Sequence, residues 1–170
     1  VSFRGEISGY FTDLVTYGEV RTDIGTVKTD LKFGSDKEKG YFSYSGAVKT
    51  AAFELGKLLN NDKFGKVTFN MDLKGNHYEK KYPSITMKGL VASIDYSDYT
   101  YENITLDGEY KQGGFNGNVT LDDENGAIQL NGAINTAGKT PTFNFHAAVS
   151  HFRPNTLHLT PKYKDTELSV

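Results

Sequence analysis

The sequence predicts an all-β fold: consecutive long antiparallel strands in a curled sheet that forms an open trough (a half-pipe), a barrel or a sandwich, with one short helix near residues 51–60. Three observations predict it. Apolar and polar residues alternate over most of the chain, and period two marks a strand with one dry face and one wet face. Gly, Tyr and Phe are plentiful (18, 11 and 11 residues), whereas Pro is scarce and Trp absent, a composition suited to antiparallel sheets. Third, a short pattern recurs: apolar, polar, apolar, polar, Gly, any, apolar. It is read at Val1–Ile7, Phe42–Val48, Ile85–Val91, Ile104–Tyr110 and Ile128–Ile134, with a weaker copy at Phe143–Val149 that has Ala147 at the Gly position. In every copy this position falls on the apolar face. Gly inside a strand marks a bend, a bulge or a close approach, so the repetition predicts a sheet that curves around its apolar side.

The elements follow in order. Val1–Gly9 reads as a strand, Tyr10–Val15 lacks a period, and Tyr17–Thr22 reads as a second strand ending at Asp23-Ile24-Gly25. Thr26–Phe33 alternates with Val27, Leu31 and Phe33 on one face; Gly34–Gly40 is a polar turn, and Tyr41–Thr50 is the next strand. Ala51–Asn60 breaks the alternation, and Leu55, Leu58 and Leu59 fit a helix of about two turns, too short to stand alone. Val67–Leu73 is a strand, with Gly75-Asn76-His77 expected to turn. Ile85–Tyr96 is long and slips phase, since Ile85, Met87 and Val91 are odd but Ile94 and Tyr96 even; a β-bulge near Val91-Ala92 explains the slip. Tyr99–Ile134 reads as three strands joined by hairpins at Gly113-Gly114 and Asp122–Gly126. Thr142–Phe152 is a further strand, and the tail alternates weakly around Leu157 and Leu159.

Composition excludes several function classes. With 170 residues the chain can form one domain with its own core, and residues 1–170 are read as a single β-domain. The net charge is −2 with both signs interspersed, so no basic stripe invites nucleic acid. Absence of Cys removes disulfide and thiol chemistry. No apolar run reaches the roughly 18 residues of a membrane-spanning helix. The chain begins with Val1 inside a strand pattern, which reads as a segment excised from a longer protein.

No catalytic set emerges, so no enzyme, cofactor or metal is expected. His77, His146, His151 and His158 match no metal-ligand spacing. Asp122–Gly126 lacks the ligand alternation of a calcium loop and is explained as a hairpin turn. There is no Gly-x-Ser-x-Gly elbow and no Gly-rich loop opening a helix. Tyr96, Tyr99, Tyr101 and Tyr110 could stack on sugars, although Tyr is also a strong strand former with a polar tip.

The pattern resembles the TamB-like translocation and assembly module proteins of the Bacteroidetes envelope, within the wider AsmA-like group. The matching pieces are Val1–Gly9 with Gly5 and Gly9, Thr22–Gly25 leading to Asp30-Leu31, Phe53–Leu59, Tyr99–Ile104 with Leu106 and Gly108, and Phe115–Gly117 followed by Asp122. The resemblance implies an internal fragment of an inner-membrane-anchored protein that spans the periplasm. It also implies a β-taco with an apolar lumen and a role in outer-membrane biogenesis. The implied clients are phospholipid acyl chains, with an outer-membrane barrel protein bound through other parts of the parent chain; no catalytic residue is implied.

Joined to the alternation, this gives a non-enzymatic apolar groove for phospholipid transport between inner and outer membranes. The lining residues expected are Phe3, Ile7, Val67, Phe69, Met71, Ile85, Met87, Ile104, Leu106, Phe115, Val119, Ile128, Leu130, Phe143 and Phe145. Two alternatives are a chaperone that pairs its strand edges with nascent barrel strands, and a carbohydrate-binding β-sandwich module.

Overall fold

A computed structural model describes residues 1–10, 12–36, 38, 40–78, 83–138, 140–153 and 156–157. The strands are β1 (Ser2–Tyr10), β2 (Asp13–Thr22), β3 (Gly25–Asp36), β4 (Tyr41–Glu54), β5 (Phe64–Tyr78), β6 (Ser84–Tyr96), β7 (Tyr99–Lys111), β8 (Gly114–Asp123), β9 (Gly126–Asn135) and β10 (Thr142–Phe152). The single helix among the described residues is α1 (Leu55–Leu59). No helix of the described residues is long and apolar enough to cross a membrane.

All ten strands form one antiparallel sheet in sequence order, β1 to β10, and the sheet does not close. Among the described residues, substantial packing joins only neighbouring strands, together with α1 against β5. The all-β, curled-sheet expectation therefore holds, and among the described residues the sheet is an open single layer, not a sandwich. The accessible surface is 11842 Å², against roughly 8,300 Å² for a compact monomer of this mass. A sheet with one uncovered apolar face accounts for an excess of that sign.

Tight turns set the register. Ser97 and Asp98 between β6 and β7, and Gln112 and Gly113 between β7 and β8, all have positive φ, as the two-residue turns that match strand twist require. The pairs run without slips through β1–β2, β2–β3 and β3–β4. At one end of the later strands the ladder is interrupted. Ala52 in β4 (φ 50°) sits at a bulge, and Asn103 in β7 (φ 53°) interrupts the pairing opposite Ala92 without a shift of register. Ala92 is the extra residue in β6, where Thr68 pairs with Ser93 and Phe69 with Val91; this is the slip expected near Val91-Ala92. Bulges in neighbouring strands bend and twist the sheet along one line. Thr68 Oγ1 accepts the freed Ala52 N–H at 3.0 Å.

That line carries the core. Phe53, Val67 and Val91 are buried, and Ile24, Val27, Leu55, Phe69, Met71, Ile94, Ile104 and Leu106 pack against them.

Several expected boundaries are corrected. The helix is shorter than 51–60, because β4 continues through its bulge until Phe53 pairs with Val67; apolar burial of Phe53 outweighs the local helical spacing. Asn60, left-handed at φ 50°, ends α1. Gly75-Asn76-His77 is not a turn but the continuation of β5, paired with Tyr44, Ser43 and Phe42. The Gly is needed there because the Tyr44 ring lies over it, 2.3 Å from where a Cβ would stand. β2 starts at Asp13, inside the stretch without a period. Leu159 and His158 lie outside the described residues.

Candidate functional site: the uncovered apolar face

The register sorts the side chains into rows across the sheet. One row reads Phe3, Val20, Val27, Thr50, Phe69, Val91, Ile104, Leu121, Ile128, Val149. The next reads Gly5, Gly18, Thr29, Val48, Met71, Gly89, Leu106, Val119, Leu130, Ala147, and the one beyond joins Ile7 through Met87 to Phe145. A fourth contains Leu14, Phe33, Tyr44, Ile85, Tyr110, Phe115, Ile134 and Phe143. All fifteen residues named from the sequence lie on this one face, counting Val67 in the bulge-end row with Phe53 and Ile94.

Their burial is graded. Val67 is buried; Phe69, Met71, Ile85, Met87, Ile104, Leu106, Phe115, Val119, Ile128 and Leu130 are half-buried; Phe3, Ile7, Phe143 and Phe145 are exposed. The face is thus driest over β4–β6 and wettest at its two edge strands. Val20, Leu31, Phe33, Val48, Leu73, Leu121 and Ile134 share it and were missing from the expected lining, although the same alternation marks them.

The glycines of the repeated pattern all fall here, as the sequence suggested. Two do more than leave space: Gly46 and Gly132 have φ of 135° and 146°, a backbone that L side chains rarely adopt. Gly108, Gly117 and Gly132 are consecutive across β7, β8 and β9, and the Phe115 ring lies across Gly108. The floor there is bare backbone partly roofed by an aromatic ring.

The two ends of the face differ. At the bulge end, Phe64 and Tyr96 rings meet at 4.9 Å and Tyr99 and Tyr101 edge-to-face at 4.8 Å. Leu157 is fully buried, and its carbonyl accepts the Tyr101 hydroxyl at 2.6 Å. A polar cluster locks this end. Asp123, 5% exposed, accepts hydrogen bonds from the Tyr99 hydroxyl, from Glu102 N–H at 3.0 Å and from Asn125 N–H at 2.9 Å. Asn125 Nδ2 donates to the Tyr99 oxygen at 3.1 Å. Burial, then the Asp123 bond, pushes the Tyr99 phenol up to about 12. The opposite end is open and aromatic, with Phe33 against Phe42 at 6.0 Å and Phe143 against Phe145 at 6.5 Å.

This cluster was not foreseen. Asp122–Gly126 forms the hairpin turn expected of it, and the structure joins Tyr99, weighed as a sugar-stacking ring, to Asp123 in one lock. Among the described residues no group of three His, Cys, Asp or Glu could hold a metal ion.

The outer face is a polar ladder. Lys88 and Asp107, opposite each other, form an ion pair at 2.7 Å, which raises the Lys88 ammonium pKa. A depression of about 510 Å³ is lined by Arg4, Tyr17, Glu19, Lys28, Asp30 and Lys49, among others. It mixes charges without converging donors or a nucleophile, so it suggests no chemistry. Comparison with protein-family models, curated proteins and solved structures found no match to this chain.

Proposed function

We propose that this chain is a non-enzymatic segment of a periplasm-spanning, inner-membrane-anchored protein of outer-membrane biogenesis, and that its apolar face carries phospholipid acyl chains between the two membranes. One observation carries the reading: a ten-strand apolar face over which the described residues place no second layer. Such a face gains from any apolar occupant. Burying about ten methylenes is worth roughly 8 kcal/mol before the cost of ordering the chain. The resemblance to TamB-like proteins supports the same reading, with a barrel protein as partner through other parts of the parent chain.

The test is native mass spectrometry with lipid extraction on protein purified from a Gram-negative host. Phospholipid should co-purify with the wild type and be lost in Leu106→Lys, whose long stem can snorkel while its charge reaches the trough. Circular dichroism should show the variant still folded. Bare wild-type protein, or lipid retained equally by folded Leu106→Lys, would overturn the proposal.

A second reading has its own observation. Among the described residues, β1 and β10 each have one edge without a partner in the sheet, which suits strand pairing with a client barrel protein. Crosslinks from edge positions to barrel proteins, and none from the trough to lipid, would favour it. A carbohydrate module has less support, because Tyr99 and Tyr101 are held in the end lock.

A further inference from the structure

Sulfur occurs in this chain at two places only: there is no Cys, and the two Met are Met71 and Met87. Both lie on the apolar face, on the neighbouring strands β5 and β6. Met71 pairs with Gly89, two residues beyond Met87, and Met87 pairs with Leu73, two residues beyond Met71. The two side chains are therefore diagonal cross-strand neighbours, a relation within reach of long side chains.

Their setting combines access to water with an apolar surround. Each is half-buried, on a face over which the described residues place no second layer. Toward β10 each meets a glycine, Met71 at Gly89 and Met87 at Gly108. Beyond Gly108 the row continues as Gly117 and Gly132, so no side chain of its own row covers Met87 from that side. Toward β1 the neighbours are Val48 and Leu73, and Met71 also packs against the cluster of Phe53, Val67 and Val91. Neither of the two rows holds a charged residue from β1 to β10. A polar group created here has no charged partner in its row.

A thioether within reach of water is open to hydroperoxides. The sulfur lone pair attacks the O–O bond, and the transferred oxygen forms the S–O bond. Its proton passes to the other oxygen, which leaves as water. Sulfur gives up two electrons and the peroxide takes them. The sulfoxide is polar, and reductases reverse it. An apolar occupant laid over two sulfoxides would strip water from both without replacing its hydrogen bonds.

We propose that Met71 and Met87 form a reversible oxidation site that sets the affinity of the trough for apolar occupants: hydroperoxides oxidise both, and the oxidised face releases what it held. The consequence for acyl chains rests on the lipid reading; the site itself does not.

The test uses the full chain, hydrogen peroxide and phosphatidylethanolamine vesicles. Peroxide should add one oxygen to each Met, located by peptide mass spectrometry, and lipid bound beforehand should slow both additions. Oxidised protein, still folded by circular dichroism, should bind lipid at least about tenfold more weakly, and methionine sulfoxide reductase should restore binding. Met71→Leu/Met87→Leu conserves volume and should bind like wild type before and after peroxide. Met71 touches the core cluster, so Met71→Leu alone confines oxidation to Met87 and should still lose affinity on oxidation without unfolding. Binding of 8-anilinonaphthalene sulfonate to lipid-free protein should fall and recover in parallel. Both Met left reduced while free methionine in the same solution is consumed would overturn the proposal. So would a folded, oxidised protein that binds lipid and dye as before, or a double Leu variant as sensitive to peroxide as wild type. Reduced wild type that takes up no lipid would overturn the lipid reading instead. The dye then decides the oxidation site: a fall reversed by the reductase supports it, and an unchanged signal overturns it.

Discussion

Replacing Asp123 with Ala should remove the lock at the bulge end, and the structure sets the size of the loss. The carboxylate is almost fully buried and accepts from the Tyr99 hydroxyl, Glu102 N–H and Asn125 N–H. A bond to a charged acceptor contributes about 1.5–3 kcal/mol net, so three give an upper bound of roughly 4.5–9 kcal/mol. Two facts reduce it: Glu102 is exposed, so water can take over its N–H, and Tyr99 keeps its bond from Asn125. The expected loss is about 3 kcal/mol. For a chain of this size that lowers the midpoint by roughly 6–12 °C. Asp123→Asn, which keeps an acceptor oxygen, should lie between Ala and wild type. Urea unfolding followed by circular dichroism measures all three. The lock would be refuted as a stabilising element by an Asp123→Ala protein within about 0.5 kcal/mol of wild type, the scatter of ordinary surface changes.

Other outcomes follow from single residues. Ala52 holds φ 50° at its bulge, a backbone that costs a residue with a Cβ about 1–2 kcal/mol. Ala52→Gly should therefore raise stability by about 0.5–1 kcal/mol after the added chain entropy, measurable as a higher urea midpoint. The Tyr99 phenol ionises at about 12, held up first by burial and then by Asp123. A raised acid keeps its proton in the fold after the unfolded chain has lost it. Its contribution is therefore whole below the unfolded value near 10 and is lost as pH rises toward 12. Alkaline unfolding should steepen in that window for wild type and less for Tyr99→Phe, and ultraviolet titration of the variant should lack the late phenolate. At Gly108 a Cβ would stand 2.6 Å from both the Asn116 carbonyl and the Phe115 ring, so Gly108→Val should cost about 2 kcal/mol or more in the same urea assay.

The strand order and the apolar face were legible because period two survives in almost every strand, and a hairpin meander needs no long-range information. The bulge at Ala92 was legible as a change of parity. The interruption at Asn103, opposite Ala92, leaves the same trace, since Tyr99 and Tyr101 are odd and Ile104 even, but the surrounding alternation of Thr, Glu and Asn hides it. Gly75 misled because Gly-Asn is a strong turn signal, and only the Tyr44 ring on the neighbouring strand explains why Gly is there. The Tyr99–Asp123 lock was invisible for a different reason. The residues are 24 apart, and nothing in either stretch announces the other until β7 and β8 are in register. Leu157 shows the same limit, being fully buried in a tail whose alternation is weak.

The exposed edges argue about the trough as a whole. The outer face shows that this sequence supplies cross-strand charge pairs where water is the neighbour, as with Lys88 and Asp107. A sheet selected only for solubility would place such residues where its inner face is wettest, on β1 and β10. Those strands instead carry Phe3, Ile7, Phe143 and Phe145 inward, at 45%, 59%, 62% and 45% exposure. Four uncompensated apolar side chains at the two margins, on a face that dries toward its middle, are the pattern of a surface whose burial is finished by something outside the sheet. An acyl chain laid along the face would cover all four. The dye 8-anilinonaphthalene sulfonate should therefore bind the lipid-free protein and lose most of its signal when phospholipid is added. Dye binding unchanged by added lipid would show that lipid does not complete this face.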